Sequence, residues 1–375
     1  MPRHPSWKDA FLTKRGSRVA ETEWTVGKML KWTTGYLTKK GDEHPRLSAE
    51  WLISNATGLT RVEIYVSFDK PLTPEELKRM HNGVVRRGRG EPLQYVTGEM
   101  PFRHIIVRCE KGVLIPRPET EILVDVAFKG IDTAKEQGWV YDDVAQRVRK
   151  QLEDEAQAES ERLNELKQKA RDQGIDEETI EAQIEQLKVL PQTDKIPESG
   201  PRVLEVGCGT GCIALSLASE RPGTHVVTTD ISEQAINLAE RNRDALKLHE
   251  AVDIVLGDLA SGVDPALAGT FAVFVSNPPY IPTTLLPKLP EEVIGFEPSL
   301  ALDGGEDGLD VFRRLIPVAE QELRDGGLFC VELFEESLDA AAELLKERGS
   351  WDEIGTQEDL THHPRIIHAI KREQV

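Results

Sequence analysis

Cysteine is scarce: four in 375 residues, at positions 109, 208, 212 and 330. So small and irregular a set excludes a disulfide framework and fits a reducing compartment. Cys208 and Cys212 stand four apart, but glycines occupy the space between them and no second Cys or His pair falls in register, so no metal site is expected. Long apolar runs are missing as well. Nothing approaches the ~20 consecutive residues that span a bilayer. The basic N-terminus "MPRHPSWKDAFLTKRGSRVAE" lacks the apolar centre that a signal peptide needs. The expectation is a soluble cytoplasmic protein with no membrane partner. Positive charge is the third shortage: 46 basic residues face 65 acidic ones, a formal net charge of −19. So acidic a surface repels a phosphate backbone, and nucleic acid is not expected as a direct partner. What remains is ordinary globular material, 39% hydrophobic, in a chain long enough for two domains and a sizeable core.

Residues 1–21 read as a loose tail. From 22 to 90 the pattern is that of a small helical bundle. "SAEWLISNATGL" offers Ser48 as a cap, apolar spacing at Trp51, Leu52 and Ala56, and a stop at Gly58. "LTPEELKRMHNGVVRRGRG" sets Thr73 as cap and Pro74 at the first helical position, with acids in the first turn and an apolar stripe through Leu77, Met80, Val84 and Val85. Residues 91–130 supply a hairpin linker, "EPLQYVTGEMPFRHIIVRC", and after "VLIPRPETE" an amphipathic helix starting near Glu119. Arg117 and Glu119 are candidates for the mouth of a site. Residues 131–199 differ in character: Glu, Gln, Lys and Ala dominate, and 18 acidic against 10 basic residues contribute −8 of the chain's −19. They read as an acidic helical hairpin or arm inserted before the core. From 200 to 375 strand and helix alternate through "RVLEV", "HVVTTD", "VDIVLGD", "FAVFVSN" and "GLFCVEL", followed by two weaker strands near Trp351 and Ile366. That pattern predicts a doubly wound α/β domain with a mainly parallel sheet.

The first turn of that domain, "VLEVGCGTGCIAL", carries Gly207, Gly209 and Gly211, with Cys208 and Thr210 between them. In such folds the ligand lies beyond the carboxyl ends of the strands, where glycine lets it approach the backbone. A dinucleotide fingerprint needs Gly or Ala at position 212, and Cys212 stands there. Instead Glu205 precedes the first glycine by two, an acid that suits a cationic ligand. Asp230 closes the second strand, where an acid binds ribose hydroxyls, and Asp258 closes the third, placed to accept from an adenine amino group; Leu259 follows it. Together these describe a nucleoside bearing an amino acid and a sulfonium, which is S-adenosylmethionine.

The fourth strand ends in "VSNPPYIP". Two prolines remove two backbone donors and fix two φ angles, so the chain kinks rigidly on the rim where the cofactor is expected. Asn277 offers a side-chain oxygen, and Pro278 still offers its carbonyl. Two acceptors on a stiff kink bind both hydrogens of a planar –NH₂ group and orient its delocalised lone pair toward a methyl donor. Pro279 stiffens the kink, and Tyr280 is expected to pack against the flat group.

"EPLQYVTGE", "GVLIPRPETE", "VLEVGCGTG", "VSNPPYIP" and "FEPSLALDGGEDGLD", in this order, resemble the HemK/PrmC family of N(5)-glutamine methyltransferases, over roughly 50–128 and 201–372. The resemblance implies a class I S-adenosylmethionine-dependent fold with a seven-stranded sheet, and an N-terminal helical domain that binds peptide chain release factors. It implies that the modified group is the glutamine of their Gly-Gly-Gln motif. It assigns residues 207–211 and Asp230 to the cofactor, and Asn277, Pro278, Pro279 and Tyr280 to the glutamine amide, with Asn277 also near the methionine part of the cofactor. Three features depart from the family pattern: Leu259 replaces an aromatic, "CVELFEES" lacks the usual Gly and Gln, and the 131–199 insertion is foreign to it. The rival reading is an adenine-N6 methyltransferase on DNA or RNA, since the same grip suits adenine's amino group. It lacks the basic face such an enzyme needs, "VVRRGRGEP" being the one local exception.

Overall fold

Local capping rules decide the first elements. In the computed structural model, which describes residues 23–173, 175–176, 179–181 and 196–373, the chain divides into two compact units, the first ending at Thr97 and the second beginning at Gly98. The first unit holds α1 (Val26–Lys39), α2 (Pro45–Thr57), α3 (Arg61–Val66), α4 (Pro74–Arg87) and α5 (Leu93–Thr97). Thr60 with Glu63 and Thr73 with Glu76 form capping boxes at α3 and α4, and Pro74 occupies the first turn as expected. α2 differs. It begins at Pro45, a turn before Ser48, whose hydroxyl bonds Asp42 instead of capping. Val26, Met29, Leu37, Ile53, Ile64, Met80 and Val84 fill the core of this unit.

The second unit opens with a hairpin, β1 (Glu99–Phe102) and β2 (Ile105–Arg108). α6 (Thr120–Glu136) follows and runs six residues past the expected end at 130, because Ile131 and Ala134 are wholly buried and continue its apolar face. α7 (Asp143–Asp172) is the long helix of the insertion. Its base is anchored: Asp143 pairs with Arg202 (2.7 Å) and Arg147 forks onto Asp253 (2.9 Å). The backbones of Tyr141 and Gly200 exchange hydrogen bonds of 2.8 and 3.0 Å, so the excursion leaves and re-enters the domain at one point. Farther out, Leu163 packs on Ile180, which brings a returning segment against the helix. The tail expected over 1–21 and most of the stretch "DEETIEAQIEQLKVL" lie outside the described residues.

Then come β3 (Arg202–Val206), α8 (Cys212–Glu220), β4 (His225–Asp230), α9 (Glu233–Leu246), β5 (Val252–Leu256), β6 (Phe271–Ser276), the short α10 (Glu291–Ile294), α11 (Asp310–Glu322), β7 (Leu323–Glu332), α12 (Leu338–Arg348), β8 (Trp351–Glu358) and β9 (Pro364–Lys371). The seven strands from β3 onward form one sheet in the order β5-β4-β3-β6-β7-β9-β8, parallel except where β9 pairs with β7 and β8. Each face has its own apolar core. Val203, Val273 and Cys330 meet α6 and α8 on one side; Leu204, Phe274, Phe329 and Ile367 meet α11 and α12 on the other. The chain winds outward in opposite directions from β3 and β6, and that reversal opens a crevice at their carboxyl ends.

Candidate active site

Val206 and Ser276 are register partners at the ends of β3 and β6, and the Ser276 hydroxyl donates to the Val206 carbonyl at 2.7 Å. The glycine turn and the proline kink therefore leave the sheet side by side. A cleft of about 990 Å³, its open mouth included, spans both and is lined by Gly207, Gly209, Asp230, Asp258, Leu259, Asn277, Pro278 and Pro279. Gly112, Val113, Leu114, Pro298, Leu300, Ala301 and Arg314 are also among its walls, positions that the sequence reading did not single out. All but Arg314 fall within "GVLIPRPETE" and "FEPSLALDGG", motifs that served chiefly to establish the resemblance.

The turn is shaped for a ligand at its surface. Gly207 and Gly209 have φ of +87° and +52°, and a Cβ at Gly209 would meet nothing within 4 Å, while one at Gly207 would meet only the Asn277 carbonyl at 3.8 Å. Asp230 holds the turn in place: Oδ2 accepts from the Gly209 N–H at 3.0 Å and Oδ1 from the Ser232 N–H at 2.9 Å. Asp258 lines the cleft with its carboxylate paired to Arg314 at 2.7 Å. Leu259 takes a left-handed backbone (φ +53°), unusual for a branched residue and found where a site over-determines its loop.

Several expected site residues point elsewhere. Glu205 does not line the cleft. It is wholly buried under the turn, its carboxyl taking the Thr228 hydroxyl at 2.5 Å from the register partner on β4. Burial, with the charge of Asp230 adding, pushes its pKa up to about 8, so at neutral pH it is a protonated structural group. Cys208 sits in a small apolar cluster with Val113 and Leu238. Thr210 is buried, its carbonyl accepting from Asn242, and Gly211 caps α8 with φ +82°. These three shape the turn without lining the cleft. Arg117 pairs with buried Glu297 at 2.5 Å, tying the "PRPET" turn to the loop before Pro298.

The proline kink is held from behind. Asn277 Nδ2 donates to the hydroxyl of Thr120, the buried first residue of α6, at 3.0 Å. No donor among the described residues reaches Asn277 Oδ1. Tyr280 does not line the cleft either; its ring packs toward the core and its hydroxyl donates to Glu332 Oε1 at 3.1 Å. Glu332, 1% exposed at the end of β7, has its pKa pushed up to about 7 by burial, against the Thr120 and Tyr280 hydroxyls that hold it down. The loop from "FEPSLALDGGEDGLD" braces the kink from outside. Ile281 N–H donates to Leu302 and Gly304 N–H to Ile281, both at 2.9 Å, and a Cβ on Gly304 would strike Tyr280 Cα at 2.7 Å.

A parallel sheet with an antiparallel last strand, a glycine turn backed by an acid after the second strand, and a rigid polar kink after the fourth define a class I S-adenosylmethionine-dependent methyltransferase. Family models match in two places: the PrmC N-terminal domain over 28–98 and the methyltransferase small domain over 187–285. A release factor glutamine methyltransferase of Rhodopirellula baltica is 34% identical over 349 residues, covering 92% of this chain and 96% of that protein. One of Geobacter sulfurreducens is 37% identical over 311 residues (83% and 84%), and the human MTRF1L release factor glutamine methyltransferase 27% over 342 (89% and 84%). The chain belongs to the release factor glutamine methyltransferase family.

Proposed function

We propose that this enzyme, in the cytoplasm, transfers a methyl group from S-adenosylmethionine to the side-chain amide nitrogen of the glutamine in the Gly-Gly-Gln motif of peptide chain release factors. The observation that carries the reading is the uncommitted oxygen of Asn277 beside the Pro278 carbonyl, on a kink next to an open glycine turn. The cofactor supplies an electrophilic methyl on a sulfonium. Gly207, Gly209 and Asp230 would hold it, and Asp258 and Leu259, which line the same cleft, would meet its adenine. Asn277 Oδ1 and the Pro278 carbonyl accept the two amide hydrogens, fix the nitrogen's lone pair on the methyl carbon and favour the pyramidal nitrogen of the in-line transition state. The new C–N bond would form as the donor's C–S bond breaks and a neutral thioether leaves; the amide proton becomes acidic only then and would pass to solvent, so no strong base is needed beforehand. Tyr280 and Pro279 keep the kink rigid.

The test offers labelled cofactor and three acceptors: a release factor, its Gln→Ala version in the Gly-Gly-Gln motif, and adenine-containing DNA. Label on the intact release factor alone is expected. Label on the DNA without label on the release factor overturns the reading.

A further inference from the structure

A side-chain amide can present its oxygen or its NH₂ to a cleft, and only the oxygen can accept from a substrate amide. Something must choose. Asn277 Nδ2 faces Thr120 Oγ1 at 3.0 Å, which requires the Thr120 oxygen to act as acceptor there and sends its own proton elsewhere. The neighbouring acceptor is the carboxyl of Glu332, which shares with Thr120 and Tyr280 the space beneath the kink and whose pKa the Thr120 hydroxyl helps to hold down. Its Oε1 already accepts from Tyr280 at 3.1 Å, while Oε2 is buried without a well-aligned partner. A buried acceptor in want of a donor, on a residue 1% exposed, is costly unless the adjacent hydroxyl supplies one.

We infer that Thr120 and Glu332 form a one-way relay that sets the orientation of the Asn277 amide and, through Tyr280, the position of the kink. Ionised Glu332 accepts from both hydroxyls; Thr120, donating its hydrogen bond to Glu332, accepts from Asn277; and Asn277 is left with its oxygen toward the substrate. Both are positioning residues, since neither lines the cleft. The relay also gives "PRPETE" and the end of "CVEL" a shared purpose: α6 and β7 meet beneath the kink to polarise it. The inference deepens the proposed function and rests on its reading of Asn277 as the amide acceptor.

Glu332→Gln tests the direction. The new Nε2 donates toward Thr120, whose proton then turns to Asn277 and draws the amide round. With a release factor as acceptor, kcat is expected to fall by about tenfold to a hundredfold, the scale of a misaligned reacting group. The KM for the release factor and the Kd for S-adenosylmethionine should stay within about twofold, because the cleft walls are untouched. Thr120→Val should lose as much, while Thr120→Ser, which keeps the hydroxyl, restores most of kcat. An unchanged kcat in Glu332→Gln or in Thr120→Val overturns the relay, as does equal loss in Thr120→Ser and Thr120→Val. The two Thr120 variants decide the matter if Glu332→Gln fails to fold. A second readout needs no turnover. In protein labelled with ¹⁵N-asparagine, the Asn277 side-chain amide signal, assigned by its disappearance in Asn277→Ala, is expected to shift in Glu332→Gln and Thr120→Val; an unmoved signal overturns the relay. If the wild-type enzyme leaves the release factor unlabelled, the proposed substrate falls, and the amide signal still judges the relay.

Discussion

At the scale of single residues, two carboxyls and one amide govern this enzyme. Asn277→Ala removes the proposed amide acceptor while leaving the glycine turn and Asp230 in place. Turnover should drop by about a hundredfold or more, the cost of losing a preorganised polar partner, with cofactor affinity changed only a few-fold. Single-turnover transfer and calorimetric titration of the cofactor separate the two effects. Glu205 makes a different prediction. Its pKa is raised from 4.5 to about 8 by burial. A carboxyl with a raised folded-state pKa binds its proton more tightly in the folded protein, so its contribution to stability is present below the unfolded value and is lost as pH climbs toward 8. Glu205→Gln does not titrate. The variant should therefore gain on wild type by a few kcal/mol between pH 5 and pH 9, as each pKa unit is worth about 1.4 kcal/mol. Denaturant unfolding at the two pH values checks it, and an unchanged difference would place the Glu205 proton elsewhere.

Among elements, the kink after β6 is a composite. Its own prolines stiffen it, α6 and β7 support it from within, and the loop through Gly304 closes over it. Gly304→Ala pushes a methyl into the Tyr280 backbone and should cost about 1–3 kcal/mol, with turnover falling alongside. Thermal unfolding and transfer assays on the same sample would show whether the two fall together. Gly209→Ala is the counterpart at the turn. The added methyl meets no protein atom within 4 Å, so stability should fall only by the backbone cost of a left-handed alanine, about 1 kcal/mol. Cofactor affinity should fall about tenfold or more, because the methyl takes the space a ligand would use. Much of this arrangement was legible in the chain. The β-branched runs bounded by turn residues located the strands, and the glycines and prolines marked which turns face the cleft. What escaped has a physical cause. In a parallel sheet covered on both faces, every strand residue reads as buried, so nothing local says which face Glu205 takes. Tyr280 follows two prolines, and its direction depends on Glu332 waiting beneath. Thr120 lies 157 residues from the amide it orients, a pairing that exists only once α6 is laid on the sheet.

For the whole molecule, the chain divides at Thr97 into two compact units. Every residue lining the cleft, from Gly112 to Arg314, belongs to the second unit. A chain begun at residue 98 should bind S-adenosylmethionine within a few-fold of the full-length affinity and yet methylate a release factor far more slowly, since the helical unit is the expected reader of that partner. Cofactor titration beside transfer kinetics would separate these outcomes, and weak cofactor binding by the shortened chain would contradict the division.

Tyr141 and Gly200 shake hands across a gap that no side chain can enter: a Cβ on Gly200 would sit 2.4 Å from Gly223. Whatever is strung between those two positions starts and finishes at the same doorstep, so its length can change without altering the distance that the sheet must bridge. Beyond its anchored base the acidic arm is in this sense a handle of adjustable reach.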